Sequence, residues 1–408
     1  MRTIRFETLG CRLNQAEESI FAADFAANGW RVLSESDENA DVVVLHSCAV
    51  TRQAERSTLQ KLRSFKRGAV AGHLPVVAVT GCAAAALPET ILRDAGADVI
   101  VRRNGYSGLR ATIEAFFANG AKPAPLADGE CVGAFPAGDA GAATEAPTVQ
   151  LPVPDLAPHP FFGADGAALA LPSGRRRAML KVQDGCDFRC AYCIVPFTRG
   201  AAVSRPFGES VDAARALAES GAAEIVLTGC NLACYRSGNA GLPELARAVC
   251  EAVLPFGAKV SFGSVEPAIC DEGIVEAMLA EQNFRRFLHL PIQSGDSGVL
   301  ALAGRRYDGP AIRRIIQLYR DSVPGLELGG DFITGLPGED EAAFANTCAL
   351  VRDFAFDRLH IFPYSPRQGT AALAQHDAPS RAVAKDRAAK LRAMIANRQP
   401  LIANCKFL

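Results

Sequence analysis

Short β-branched runs alternate with stretches of helical period along the first part of the chain. Ile4-Arg5-Phe6-Glu7-Thr8, Val42-Val43-Val44-Leu45-His46, Val76-Val77-Ala78-Val79-Thr80 and Asp98-Val99-Ile100-Val101 read as strands, and the apolar spacing predicts helices over Glu17–Asn28, Arg52–Lys66 and Leu109–Phe117. Alternation of this kind implies a parallel sheet with helices on its faces. From Asn119 to Ser173 the pattern breaks into Pro, Ala and Gly without a sustained period, as expected of a linker. Strand-like runs then return at Arg177–Val182, Glu224–Leu227, Lys259–Ser264, Phe287–Pro291, Leu326–Ile333 and Leu359–Pro363. Helical patterns fall between them at Glu209–Ser220, Leu242–Val253, Gly273–Leu279, Pro310–Asp321 and Glu341–Phe354, and a basic helical stretch, Arg381–Arg398, follows. The expected fold class is therefore α/β, with an N-terminal parallel-sheet βα domain over residues 1–118, a linker over 119–173 and an incomplete, open (β/α)6 barrel over 174–378. Residues 379–408 are expected to add the basic helix.

Composition narrows this frame. A chain of 408 residues has room for two or three domains and a buried core. A formal net charge of −1 gives no general attraction to phosphate backbones, so a nucleic-acid partner must be held by local patches. Basic groups cluster at Arg52–Arg67, Arg102-Arg103, Arg175-Arg176-Arg177 and along the last helix, the triple arginine being the strongest candidate for RNA contact. No run approaches the roughly 18 apolar residues of a spanning helix, and Met1 to Gly10 lacks a signal-like apolar run, so a cytoplasmic monomer with no membrane partner is expected. In that reducing compartment the odd count of 13 cysteines argues for metal or redox use of some thiols over a disulfide framework.

Six of those cysteines carry the chemistry. Cys186, Cys190 and Cys193 form a C-x3-C-x2-C run directly after the first barrel strand, where three thiolates on one loop can hold three corners of a four-iron, four-sulfur cluster and leave one iron open. Cys11, Cys48 and Cys82 follow the first three strands of the N-terminal domain, in Leu9-Gly10-Cys11, His46-Ser47-Cys48 and Thr80-Gly81-Cys82. Carboxyl ends of the strands line the ligand crevice of an open α/β sheet, so these thiols converge on a second cluster site. Other pieces fall at later strand ends: Thr228-Gly229, Glu266-Pro267, Gln293-Ser294-Gly295-Asp296 and Asp331 with Gly335-Leu336-Pro337-Gly338-Glu339. Amide, hydroxyl, carboxylate and close glycine backbone at one rim suit the grip of a nucleoside-bearing cofactor. Cys230 and Cys234 read as small packed cysteines, as do Cys250, Cys270, Cys348 and Cys405, and Cys131 receives no role.

In this order the pieces resemble the methylthiotransferases of the radical S-adenosylmethionine (SAM) superfamily over nearly the whole chain. The matching phrases are T-L-G-C with Asn14; S-C-A-V-T at Cys48; T-G-C at Cys82; and G-C-x-F-x-C-x-Y-C-I-V-P-x-x-R-G over Gly185–Gly200. L-T-G at Leu227–Gly229, P-I-Q-S-G-D at Pro291–Asp296 and D-x-I-x-G-L-P-G-E over Asp331–Glu339 follow. The resemblance implies two 4Fe–4S clusters and SAM as cofactors: Cys186, Cys190 and Cys193 on the SAM cluster, Cys11, Cys48 and Cys82 on an auxiliary cluster. It implies Arg305 as a further catalytic residue, and Tyr192, Thr228, Gly229, Glu266, Gln293, Ser294 and Asp331 in the SAM pocket. One SAM would methylate sulfur at the auxiliary cluster and a second would supply the radical that abstracts hydrogen, chemistry that the six histidines acting as acids and bases cannot replace.

The phrase H-x-F-P-Y-S-x-R-x-G-T-x-A, His360 to Ala372, is most similar to the branch acting on N6-threonylcarbamoyladenosine beside the tRNA anticodon. The alternatives are the branches that act on isopentenyladenosine in tRNA or on an aspartate of a ribosomal protein, and a degenerate, non-catalytic iron–sulfur protein. The implied partners are tRNA, an external electron donor and a sulfur source. Two departures from the family pattern stand out. Ala303 takes the place of a methionine in M-x-R-x-Y, with little consequence expected, and no run of strands follows the last helix where relatives carry a small RNA-gripping barrel, the TRAM domain. Weaker, more salt-sensitive tRNA binding is expected from the second departure.

Overall fold

The structure, a computed structural model, describes residues 1–34, 37, 39–67, 74–102, 108–121, 176–375 and 377–396. Most of the expected linker, with Cys131, Arg103 and Arg175, lies outside these residues, as does Cys405.

The N-terminal unit is a five-stranded parallel sheet in the order β2-β1-β3-β4-β5, formed by β1 (Thr3–Thr8), β2 (Arg31–Leu33), β3 (Val42–Ser47), β4 (Val76–Gly81) and β5 (Val99–Ile100). Both central strands, β3 and β4, are buried along their whole length, which is why they read as continuous apolar runs instead of alternating ones. Successive residues serve opposite faces. Val42, Val44, Val76 and Ala78 pack with Phe21, Phe25, Trp30 and Ile113, whereas Val43, Leu45, Val77 and Val79 pack with Leu59, Leu62, Phe65 and Leu92. Apart from Trp30, those partners come from α1 (Arg12–Ala27), α2 (Arg52–Arg67), α4 (Glu89–Asp94) and α5 (Leu109–Ala118), and a short α3 (Cys82–Ala86) follows β4. Helix α1 begins five residues before its expected start, because Cys11 itself is the extended N-cap residue. Its first turns bury Asn14, Glu17 and Glu18, which hides the apolar stripe from a sequence reading.

The second unit holds two three-stranded parallel sheets, β10-β9-β6 and β11-β12-β13. They comprise β6 (Arg177–Lys181), β9 (Glu224–Thr228), β10 (Lys259–Phe262), β11 (Phe287–Gln293), β12 (Glu327–Thr334) and β13 (Arg358–Pro363). Parallel bridges Val260↔Phe284 and Ser264↔His289 join the two at β10 and β11, giving the open six-strand arrangement expected. An antiparallel pair absent from the sequence reading, β7 (Gln183–Asp184) and β8 (Val203–Ser204), brackets the cysteine run and a short helix, α6 (Val195–Arg199). Outer helices α7 (Phe207–Glu219), α8 (Leu242–Val253), α9 (Glu272–Ala280), α10 (Ser297–Leu302), α11 (Gly309–Ser322) and α12 (Glu341–Phe354) surround one continuous core, and α13 (Arg381–Ala396) packs on β12 and β13.

Helix α1 faces both units, since it packs against β1 and β2 and also against β6. Helix α3, directly after β4, packs on α6 beside the cysteine run of the second unit. No described helix is long and apolar enough to cross a membrane.

Within the basic clusters, single cations also serve the fold: Arg177 bonds Glu224 at 2.9 Å, Arg387 is buried on Glu339 and Glu341, and Arg392 donates to the Ile361 carbonyl. Arg176, Arg381, Lys385, Lys390 and Arg392 are exposed.

Candidate active site at two cysteine triads

The three N-terminal cysteines sit at the ends of adjacent strands. Gly10, with φ +125°, comes so near Cys48 that a Cβ there would lie 2.8 Å from the Cys48 Cβ, and Gly81, with φ +96°, leaves no room for a side chain beside Ser47. Asn14 ties two of the loops together, its Nδ2 donating to the carbonyls of Leu9 (3.0 Å) and Ser47 (3.1 Å) while its Oδ1 accepts from Cys11 Sγ (3.6 Å). Burial pushes the thiols of Cys11 and Cys48 upward, Cys48 to about 12, with the neighbouring thiols adding to the effect at both.

The second triad occupies the β7–β8 loop. Gly185, with φ +68°, lies against the Ala201 carbonyl, and Cys186 N–H donates to the Gly200 carbonyl at 3.0 Å. Arg306 stacks 3.7 Å over the Phe188 ring, and Ala191 exchanges backbone bonds with Ala303 and Ala372. At the Ala303 position it is the backbone carbonyl that accepts, from Ala191 N–H at 2.9 Å. Burial pushes the Cys193 thiol up to about 12 and raises Cys190 against the pull of Arg305. All six cysteines are free thiols, and two triads, one gathered from three strand ends and one on a single loop, are a donor set suited to iron–sulfur clusters and to no oxygen-preferring cation.

Each triad receives one buried guanidinium. Arg305 places Nη1 3.2 Å from Cys190 Sγ and 3.4 Å from the Tyr192 hydroxyl, and Nη2 2.7 Å from both Glu266 oxygens, while its Nε donates to the Tyr307 hydroxyl at 2.7 Å. Arg305, Tyr192 and Glu266, chosen from separate sequence motifs, are therefore one cluster. Arg199 places Nε 3.3 Å from Cys82 Sγ and is otherwise held by Glu17, Asp184 and Asn14. Sequence reading placed Arg199 in a matching phrase and gave it no task; its neighbours Glu17, Lys181 and Asp184 went unnoticed because charged residues at those positions read as solvated.

Other expected pocket residues fall into two groups. Gln293, with φ +73°, is strained at a register shift in β11, a feature that accompanies functional positions. Asp331 lies on β12 with His289 Nε2 at 2.8 Å and His360 Nδ1 at 3.0 Å, both on one carboxylate oxygen. Burial raises its carboxyl, but the two imidazoles outweigh that and hold it well below the usual range. This His–Asp–His group is also the one set of mutually close metal-ligating side chains found among the described residues. Thr228, Gly229 and Ser294 have packing tasks: Thr228 closes β9, Gly229 makes room for Gln183, and Ser294 bonds Thr347. Cys230 donates to Asp184 at 3.4 Å, and Cys234 shares a hydrogen bond with Cys186 that lowers it to about 7 and raises Cys186. Neither reads as an isolated packed cysteine once the loops are in place.

A family model described as "Uncharacterized protein family UPF0004" matches residues 3–102, and one described as "Radical SAM superfamily" matches residues 180–351. The "tRNA-2-methylthio-N(6)-dimethylallyladenosine synthase" of Erythrobacter litoralis (strain HTCC2594) is 30% identical over 97% of this chain and 82% of its own length. The like-named protein of Novosphingobium aromaticivorans is 31% identical over 99% of this chain and 84% of its own. Among solved structures, the radical SAM methyltransferase TsrM of Kitasatospora setae aligns with a TM-score of 0.63 over 91% of this chain and 77% of its own, at 14% identity. The cobalamin-dependent radical enzyme OxsB aligns with a TM-score of 0.54 over 96% of this chain and 56% of its own, at 13% identity. At those identities the two structures speak for the fold alone.

Proposed function

This chain belongs to the radical-SAM methylthiotransferase family, whose enzymes carry two 4Fe–4S clusters and use SAM, and from that premise we propose that it places a methylthio group on an N6-dimethylallyl (isopentenyl) adenosine of tRNA. The observation that carries the reading is the pair of cysteine triads, each with one thiol on a buried guanidinium, on facing loops of the two units. The substituent is taken from the names of the relatives that align along almost the whole chain.

When bound, the clusters and SAM supply reductive C–S cleavage and a methylated sulfur, chemistry suited to a C–H bond that offers neither a usable proton nor a leaving group. The residues of the chain hold and orient. Cys186, Cys190 and Cys193 would bind the SAM cluster and Cys11, Cys48 and Cys82 the auxiliary one. Arg305, fixed by Glu266 and Tyr307, neutralises charge on the Cys190 corner and keeps Tyr192 at the rim. Gln293 and Asp331 remain the polar groups offered to SAM or substrate from β11 and β12, with His289 and His360 keeping Asp331 ionised.

A second reading, threonylcarbamoyladenosine as the substrate, is favoured by the His360–Ala372 phrase and by Arg12. That guanidinium, next to Cys11, lies in the field of Arg177, Asp331 and Arg358, where burial lowers its pKa, and it suits the carboxylate which threonylcarbamoyl carries and dimethylallyl lacks. The protein is reconstituted anaerobically with iron and sulfide, then given reductant, SAM and tRNA bearing one or the other modification, and the nucleosides are weighed. A methylthio adduct on dimethylallyladenosine alone is expected. An adduct on threonylcarbamoyladenosine alone transfers the assignment to the second reading, and release of 5′-deoxyadenosine with no adduct on either tRNA overturns both.

A further inference from the structure

One guanidinium reaches every loop of the proposed auxiliary site. Arg199 is 2% exposed and has five N–H donors, all of them used: Nε to Cys82 Sγ (3.3 Å), Nη1 to Glu17 Oε1 (2.8 Å) and Asp184 Oδ1 (3.1 Å), Nη2 to Glu17 Oε2 (3.0 Å) and Asn14 Oδ1 (3.0 Å). Through Asn14 the same group is linked to Cys11 Sγ and to the backbone around Cys11 and Cys48. Through Asp184 it is linked to the SAM loop, because Asp184 Oδ1 also accepts from Gly185 N–H (2.7 Å), the residue before Cys186, and from Cys230 Sγ (3.4 Å). The carboxylates of Glu17 and Asp184 lie on the guanidinium at 2.8 and 3.1 Å and balance its charge in the buried site.

We propose that Arg199 is a positioning residue for the auxiliary cluster, holding the Cys82 corner by its Nε–H and, with its terminal nitrogens, fixing that corner relative to the Cys186 loop. The proposal rests on the reading of Cys11, Cys48 and Cys82 as cluster ligands. A hydrogen bond from a cation to a cluster thiolate withdraws electron density and raises the reduction potential. Lysine keeps the charge without the planar fork, so it cannot serve Cys82, Glu17 and Asp184 together.

The test is an EPR-monitored redox titration of the full-length chain in a Cys186→Ala, Cys190→Ala, Cys193→Ala background, where only the auxiliary cluster remains. If that parent holds no iron, the auxiliary reading fails before Arg199 is at issue. Given a loaded parent, Arg199→Lys lowers the midpoint, so that at the parent's midpoint the reduced-to-oxidised ratio falls roughly tenfold, the scale of one charge-assisted hydrogen bond. Glu17→Gln disturbs the same ion pair while sparing the bond to Cys82, and because it removes a nearby negative charge the midpoint does not fall. Arg199→Met combined with Glu17→Gln keeps the buried charge balanced by Lys181 and Asp184, and reproduces the fall should Arg199→Lys fail to fold. An unchanged midpoint in either loaded Arg199 variant, or an equal shift in Glu17→Gln, overturns the proposal. In the chain with all six cysteines, loss of auxiliary iron alone supports it, whereas loss of both clusters reduces Arg199 to a structural ion pair and also overturns it.

Discussion

Replacing Lys181 by Met tests whether the buried charges between the two units act as a balanced set. Lys181 Nζ lies 2.6 Å from Glu17 Oε1 and 2.7 Å from Asp184 Oδ2, and all three side chains are at most 1% exposed. With Arg199 the set comprises two cations and two carboxylates, so removing Lys181 leaves one buried negative charge uncompensated. Breaking a buried pair from one side costs about 3–5 kcal/mol, and Glu17→Gln alone carries a cost of the same order in the opposite sense. Combining the two substitutions restores neutrality and leaves mainly imperfect hydrogen bonds, about 1–3 kcal/mol. The double variant is therefore more stable than Lys181→Met alone, and the cycle gives a coupling energy of at least about 2 kcal/mol. The assay is urea unfolding of the reduced, iron-free chain. Trp30 is the single tryptophan and lies in the N-terminal core, so its fluorescence follows that unit, while circular dichroism follows both; coincident transitions license one free energy. A Lys181→Met cost below about 1 kcal/mol, or a double variant that simply adds the two single costs, refutes the reasoning.

The same set gives a pH dependence. Burial raises the Glu17 carboxyl, but Arg199, Lys181 and His46 outweigh that and hold it well below its ordinary value. A depressed folded pKa gives stability that is present above the unfolded value of about 4.3 and lost as pH falls through the folded one, so Glu17→Gln should flatten the acid limb of an unfolding profile; a parallel acid limb would count against it. Glu266→Gln removes the carboxylate that pairs with Arg305, and SAM cleavage should fall roughly tenfold or more with iron content unchanged, whereas full cleavage would free Glu266 from the mechanism. In Gly185→Ala the new Cβ would sit 1.8 Å from the Ala201 carbonyl oxygen in a left-handed backbone, so the variant should lose iron at the Cys186 loop and keep it at Cys11, Cys48 and Cys82, as iron and sulfide counting would register.

The parts of this fold that were legible from sequence are those where one residue type has one physical use. β-branched runs mark the central strands because both faces of β3 and β4 are buried, and the helices over Leu242–Val253 and Glu341–Phe354 appear at the bounds expected because their apolar faces meet the core on one side only. Helix α1 was misread at its start because it lies between two units and buries polar side chains on the second. The cysteines were legible since three thiols at three parallel strand ends have few other reasons to recur. Arg199, Lys181 and Asp184 were not, because a charged residue becomes informative only when its partners are known, and those of Arg199 stand from 15 to 185 positions away. Arg177 shows the converse: it belongs to a basic run, and its guanidinium also pairs with Glu224 of the neighbouring strand, a partner 47 positions away that no local pattern shows.

The two guanidinium sites also bear on how the two units work together. Arg305 and its partner Glu266 both belong to the barrel, so the SAM-side triad can be organised by the barrel alone. Arg199 comes from the barrel but contacts Cys82, Asn14 and Glu17 of the other unit, so the N-terminal triad gains its guanidinium only when the units are docked. A loosened interface therefore degrades one site before the other. On the proposed assignment, iron counted along a urea titration is expected to leave the Cys11, Cys48 and Cys82 site first and the Cys186 loop second, with no difference needed in the intrinsic affinity of the two triads; simultaneous loss, or the reverse order, would count against it.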